Sequence, residues 1–249
     1  MLRVDLKRFF ISRLTYIMLA IALVCPILIL VMTTMMDGTV TVNPQTGIET
    51  EIQAFDSVWQ AISAPSGAGM TMDLTGMCNM NMMYFAAAVW ICLFVSEDFR
   101  SGYAKNLFTV RAKKTDYVIS KTIVGILGGT LMLLLWIVGS LLGGAVSGLA
   151  FDTMGASGFN IFMCIISKIA LMGVFIPISL AISLAAKQRS WLSICLSLGG
   201  EMLLFMMIPM LTPLDAGVMN ALLCLAGAAM FSVGLGAVSN LVLKKTALV

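Results

Sequence analysis

Apolar residues run along this chain in long unbroken stretches separated by short polar ones, with neither the alternation of a half-buried strand nor the single stripe of a surface helix. Six such runs stand out: Leu14–Met36, Met77–Val95, Thr122–Val146, Ile161–Ala186, Trp191–Met210 and Met219–Leu243. Each reaches the ~20 residues a helix needs to cross ~30 Å of hydrocarbon, where every backbone polar group must be satisfied internally. The pattern predicts an all-α polytopic membrane protein with six transmembrane helices forming a single domain over 1–249. Residues 1–13 place Leu2, Leu6, Phe9 and Phe10 on one side of a helical wheel, which predicts a short helix lying at the membrane interface. The first run is too long for a signal peptide, and no small-x-small cleavage site follows it. It is expected to stay as an anchor.

Composition sharpens this reading. Of the 249 residues, 60% are hydrophobic and only 11% charged, against roughly a quarter charged in soluble domains. All fifteen Lys and Arg except Lys168 fall at the N-terminus, between the second and third runs, between the fourth and fifth, or at the C-terminus. The positive-inside rule therefore puts both termini in the cytoplasm. Asp37, Glu49, Glu51, Asp56, Asp73, Asp152 and Asp215 fall on the other side. The six cysteines all lie in predicted spans, where they read as small buried residues and not as a disulfide framework. The chain has no histidine, which removes Ser-His and Cys-His nucleophilic pairs and the usual zinc sites.

Residues 37–76 form the one sizeable external segment, expected to cap the outer mouth. Within it, "TVTVNPQTGIETEI" (Thr39–Ile52) reads as a hairpin and "AFDSVWQAIS" as a short helix. The methionine-rich "MTMDLTGMCNMNMMYF" (Met70–Phe85) raises a copper(I) reading, weighed against methionine as adaptable packing in a chain with twenty-one of them. Gly125, Gly129, Gly139, Gly143, Gly144 and Gly148 give the third span small-xxx-small pairs for close helix contact. Pro26 and Pro177 predict kinks in spans one and four. Lys168 and Glu201, the two charges well within spans, are expected to pair across spans four and five.

Between the second and third runs lies "SEDFRSGYAKNLFTVRAKKTDYVISK", Ser96 to Lys121, dense with charge. Ser96 reads as a helix cap with Glu97 and Asp98 in the first turn, and Gly102 as a bend. Phe99, Tyr103, Leu107 and Val110 make a ridge flanked by Arg100, Lys105, Asn106 and Arg111, and Thr115 and Asp116 open the third span. A short amphipathic helix between two spans is a docking element, so residues 96–120 are expected to form a cytoplasmic coupling loop.

The longer run "FVSEDFRSGYAKNLFTVRAKKTDYVISKTIVG" resembles the corresponding region of type-2 ATP-binding-cassette (ABC) transporter permeases, specifically small six-span bacterial exporter or immunity-type subunits. In that family an acidic residue, a G-[TY]-x-K step, a short apolar-basic helix and a Lys opening the third span recur. Here these are Glu97 and Asp98, Gly102-Tyr103-Ala104-Lys105, Asn106-Leu107-Phe108 and Lys121. The resemblance implies that the loop grips a separate ATPase subunit, which binds the ATP and Mg. It implies a second permease chain, forming a homodimer in a bacterial plasma membrane, and export of amphipathic or hydrophobic cargo such as toxic peptides or drugs. The coupling residues it implies are Glu97, Asp98, Phe99, Arg100, Gly102, Tyr103, Lys105, Asn106, Leu107, Phe108 and Val110. The chain carries no G-x-x-x-x-G-K-[ST] loop, so it is expected to be no enzyme and to bind no cofactor itself, nor any metal or nucleic acid. The alternative is an ion-coupled secondary transporter without an ATPase partner, against which stand the lack of an internal repeat and the single midplane acid.

Overall fold

The structure is a computed structural model, and the residues it describes are 1–42, 49–51, 55–66, 78–109, 113–187 and 189–245. In chain order the helices are α1 (Leu2–Ile11), α2 (Arg13–Met36), α3 (Met82–Arg100), α4 (Tyr103–Thr109), α5 (Lys114–Ser147), α6 (Gly158–Ala186), α7 (Ser190–Phe205), α8 (Ile208–Leu211) and α9 (Val218–Lys245). Five of them, α2, α3, α5, α6 and α9, are long and apolar enough to cross a membrane. Large apolar side chains such as Val146, Leu203, Met230 and Val233 face outward on this bundle, as they do when the surrounding solvent is lipid. Apart from one small hairpin, the described residues are those of an all-helical polytopic membrane protein.

The predicted fifth span, Trp191–Met210, is not one helix. The α7 segment has 16 residues, about 24 Å at ~1.5 Å per residue, and the chain turns at Met206 and Met207 before α8. Pro209 accounts for the break, because it has no N–H to offer the Phe205 carbonyl four residues back. The second span is displaced as well. It begins at Met82, after Asn79 Oδ1 accepts from Asn81 N at 2.9 Å, and continues to Arg100. Ser96, Glu97 and Asp98 thus lie in its last turns and do not start a new helix. The third span is a 34-residue helix that begins at Lys114 with Lys113 at its N-cap, two residues ahead of the expected Thr115 cap, and Asp116 occupies its first turn.

The core is built on α3, α5 and α6. Trp90, Trp136, Tyr84 and Tyr117 are fully buried there, and burial of aromatics on this scale dominates packing. The first helix docks into the same core: Phe9 meets Trp90 edge-on at 5.5 Å, while Trp90 Nε1 donates to Thr15 Oγ1 at 3.3 Å. Its buried face is Asp5 and Phe9. Phe10, expected on the apolar side, points outward.

The glycines of α5 pack within this one chain. Gly139 and Gly143 bring α5 against α2 at Pro26, where a Cβ on Gly143 would lie 2.9 Å from the Ile27 Cα and one on Gly139 would strike the Leu23 carbonyl. Backbone cannot yield as a flexible side chain does. Gly139→Val should therefore cost about 1–3 kcal/mol by overpacking, read as a lowered unfolding midpoint in detergent, whereas valine at the open Gly199 position of α7 should leave the midpoint unchanged by this route.

At the end of the bundle remote from α1, the hairpin expected in 39–52 is present as β1 (Val40–Val42) and β2 (Glu49–Glu51), antiparallel with Val40 opposite Glu51. The expected short helix is a single 3-10 turn, Val58–Ala61, with Ser57 Oγ accepting from Trp59 N. This turn staples neighbouring loops. Trp136 Nε1 donates to the Ala61 carbonyl at 3.0 Å, Ser57 Oγ to Asp152 O at 2.5 Å and Ser63 Oγ to Thr212 O at 2.6 Å.

Ser66 closes the same staple by donating its amide to Asp215 Oδ1 at 2.8 Å and its hydroxyl to Oδ2. The hydroxyl contact holds the Asp215 carboxyl below its ordinary range. A depressed carboxylate pKa stabilises the fold above the unfolded value of ~3.9 and loses that contribution as pH falls through the folded value. The Ser66 amide resonance should therefore titrate with a midpoint below ~3.9 in an NMR pH series, and Asp215→Asn should abolish that titration.

Candidate functional site

The charged residues of the basic end do not all face water. Asp5, Asp98 and Lys121 are fully buried, and Arg8 reaches them from the rim with its side chain 30% exposed. Lys121 Nζ sits between Asp5 Oδ1 at 2.9 Å and Asp98 Oδ2 at 2.7 Å, and the Arg8 guanidinium meets Asp98 Oδ1 at 2.5 Å. Ser120 Oγ donates to Asp5 Oδ2 at 2.5 Å, and Tyr117 OH to Asp98 Oδ2 at 2.9 Å. Two cations and two carboxylates sum to zero. Aromatic faces line the cluster, with Lys121 Nζ 4.2 Å from the Phe94 centroid and the Arg8 guanidinium 4.4 Å from that of Tyr103. Burial works against the Arg8 charge, but Asp98 and Asp5 outweigh it and raise the Arg8 pKa.

The cluster joins α1, α3 and α5 at one point. Losing one partner strands a charge in a dry site, which costs roughly 3–5 kcal/mol. Lys121→Met should destabilise by that amount, and adding Asp5→Asn, which restores neutrality, should recover more than half of the loss in denaturation midpoints; absence of recovery would mean that the cluster is not a charge-balanced unit.

On this base stands the short helix α4. Gly102 takes φ +72°, a left-handed conformation glycine adopts without strain, and turns the chain between α3 and α4 as the sequence predicts. The ridge itself faces the protein. Phe99, Leu107 and Phe108 pack against the core, Tyr103 lies over Arg8, and Phe108 meets Tyr117 edge-on at 5.5 Å. The expectation that the ridge forms the outward contact is corrected accordingly: the apolar residues seat the helix on its own bundle because Tyr117 and Arg8 offer them a surface. Outward instead point Glu97, Arg100, Lys105, Asn106 and Thr109. Val110 lies outside the described residues. Glu97 and Asp98, adjacent in sequence, face opposite ways, one to solvent and one into the cluster.

The expected Lys168–Glu201 pair does not form. Lys168 Nζ donates to Asn81 Oδ1 at 2.6 Å, and Glu201 contacts Ser179 of α6. Ser179 lies eleven residues beyond Lys168 on the same helix, roughly 16 Å along its axis. Asp5, Ser120, Tyr117, Asn81 and Ser179 escaped the sequence reading. Asp5 carried a signal, being the one acid among Arg3, Lys7, Arg8 and Arg13.

Among the described residues no three His, Cys, Asp or Glu side chains converge as a metal site would require. Of the methionine-rich run, Met80 and Met83 are buried in the core and Met82 is exposed, while Met70, Met72 and Met77 fall outside the described residues. The described cysteines form no disulfide. No family model matches the chain, and neither a curated protein nor a solved structure does.

Proposed function

We propose that this chain is the membrane subunit of an ATP-driven exporter of the ABC type, with its charged end in the cytoplasm and two copies pairing around the path taken by amphipathic or hydrophobic cargo. One observation carries the reading: a seven-residue helix, α4, stands at the basic end between two long apolar helices, braced on its inner side and polar on its outer side. Its inner face rests on α1 through Arg8 and Tyr103 and on α5 through Phe108 and Tyr117. A push on its outer face passes to three helices at once through the Asp5–Arg8–Asp98–Lys121 cluster. Such a rigid lever is what a separate ATPase needs to rock membrane helices between two arrangements. The hydrolysis itself belongs to that partner.

The outer face of α4 supplies the test. Lys105→Glu with Arg100→Glu reverses charge at the docking surface without touching the core, since both side chains are exposed. The tagged chain, purified from its native membrane, should carry a subunit with a nucleotide-binding loop and ATPase activity, and the double variant should recover it at least about tenfold less, equivalent to ~1.4 kcal/mol. Membrane insertion should be unchanged. Purification without any ATPase, or equal recovery by both forms, overturns the proposal.

A further inference from the structure

A second polar system lies between α3, α6 and α7, away from the charged cluster. On α7, Ser193, Ser197 and Glu201 recur every four residues and so share one face; all three are fully buried. Opposite them stand Ser179 and Ser183 of α6 and Cys92 and Ser96 of α3, likewise buried. Ser197 Oγ lies 3.2 Å from Cys92 Sγ, Ser183 Oγ donates to the Cys92 carbonyl at 3.4 Å, and Ser179 Oγ contacts Glu201 Oε1. Glu201 Oε2, Ser193 Oγ and Ser96 Oγ are buried without a hydrogen-bond partner among the described residues. At its Ser96 end the file meets a cleft of about 620 Å³ whose charged lining is Lys7, Arg8, Arg13, Arg100 and Glu97.

We propose that Glu201 is a proton-binding site, held as the neutral acid and exchanging its proton with water in that cleft through the Ser193–Ser197–Cys92–Ser96 file. Ser179 gives the first argument. Its hydroxyl lies 3.1 Å from the Phe175 carbonyl as well as against Glu201, yet a hydroxyl has one hydrogen. Both contacts are satisfied together when Ser179 donates to Phe175 and the protonated carboxyl of Glu201 donates to Ser179.

The surroundings give the second. The ion pairs among the described residues all lie in the charged-end cluster, so no Lys or Arg of α3, α6 or α7 pairs with Glu201. The groups the structure sets against it are Ser179 from α6, in direct contact, and Cys92 from α3, the titratable one of the two. An ionised carboxylate with one hydroxyl partner is strongly disfavoured in such a site, and a hard metal cation would demand several oxygens where a proton needs one. The proton is thus the ligand this chemistry accepts. In the exchange, Glu201 gives its proton to the hydroxyl file and ends as carboxylate, while the far end of the file passes one proton to water in the cleft. This assignment stands whether or not an ATPase drives the protein.

Infrared difference spectra of the full chain in liposomes, unaltered protein minus Glu201→Gln, test it. The expected result is a protonated-carboxyl carbonyl band at neutral pH that shifts on transfer to D2O, with the shift slowed about tenfold or more in Ser193→Ala with Ser197→Ala. A carboxylate signature at neutral pH, loss of the acid band on adding sodium at fixed pH, or exchange unaffected by the serine substitutions would each overturn the proposal. Should Glu201→Gln fail to fold, dicyclohexylcarbodiimide, which adds to protonated buried carboxyls, is applied to the unaltered chain. Adduct at Glu201 that declines as pH rises supports the site, and absence of adduct at any pH rejects it.

Discussion

The charged end is organised by one balanced set of buried ions. Asp5 from α1, Asp98 from α3 and Lys121 from α5 are removed from solvent and satisfied by one another, by Arg8, and by the hydroxyls of Ser120 and Tyr117. Ions in so dry a place hold only as a set, because each is stabilised by partners on other helices. The position of α1 follows from it, and so does the course of α3, which keeps its helical form past the apolar run because Asp98 has partners inside. The turn at Gly102 and the seat of α4 come after.

Two polar systems therefore serve different purposes in the same bundle. In the charge cluster every buried ion has an opposite ion against it, and such a set holds helices in one arrangement. The file that ends at Glu201 is under-filled, with a carboxyl oxygen and two hydroxyls lacking partners among the described residues. Buried polar groups left partly satisfied are costly to keep, and a proton on Glu201 lowers that cost. Rigidity at one place and a titratable group at another are compatible because α3 belongs to both, carrying Asp98 toward α1 and α5 and Cys92 toward α7.

Much of the architecture was legible in the residues. The apolar runs located α2, α6 and α9 to within three residues at each end, and Gly102 marked the turn into α4. The hairpin between the first two apolar runs followed from alternation around a Pro/Gly turn. What escaped were matters of which way a residue faces. Ser96, Glu97 and Asp98 look like a helix start because small and acidic residues favour that place, but the same residues occur at the end of α3 since Lys121 and Arg8 stand ready in space. The Phe99–Tyr103–Leu107 ridge has the right spacing, and spacing says nothing of whether lipid, a partner or the chain's own core covers it.

Sequence alone determined that this is a membrane protein of long apolar helices, where a polar insert must come, and which end carries the positive charge, because hydropathy and net charge are properties of local stretches. Tertiary structure decided which charges meet. Asp5 and Lys121 lie 116 residues apart and bond at 2.9 Å, while Lys168 and Glu201, expected partners, find Asn81 and Ser179 instead. Register between helices is set by how side chains and backbones interlock, down to the contact of Gly143 with α2 and the break at Pro209. A difference of a few residues in that register moves a side chain by more than an ion pair can span.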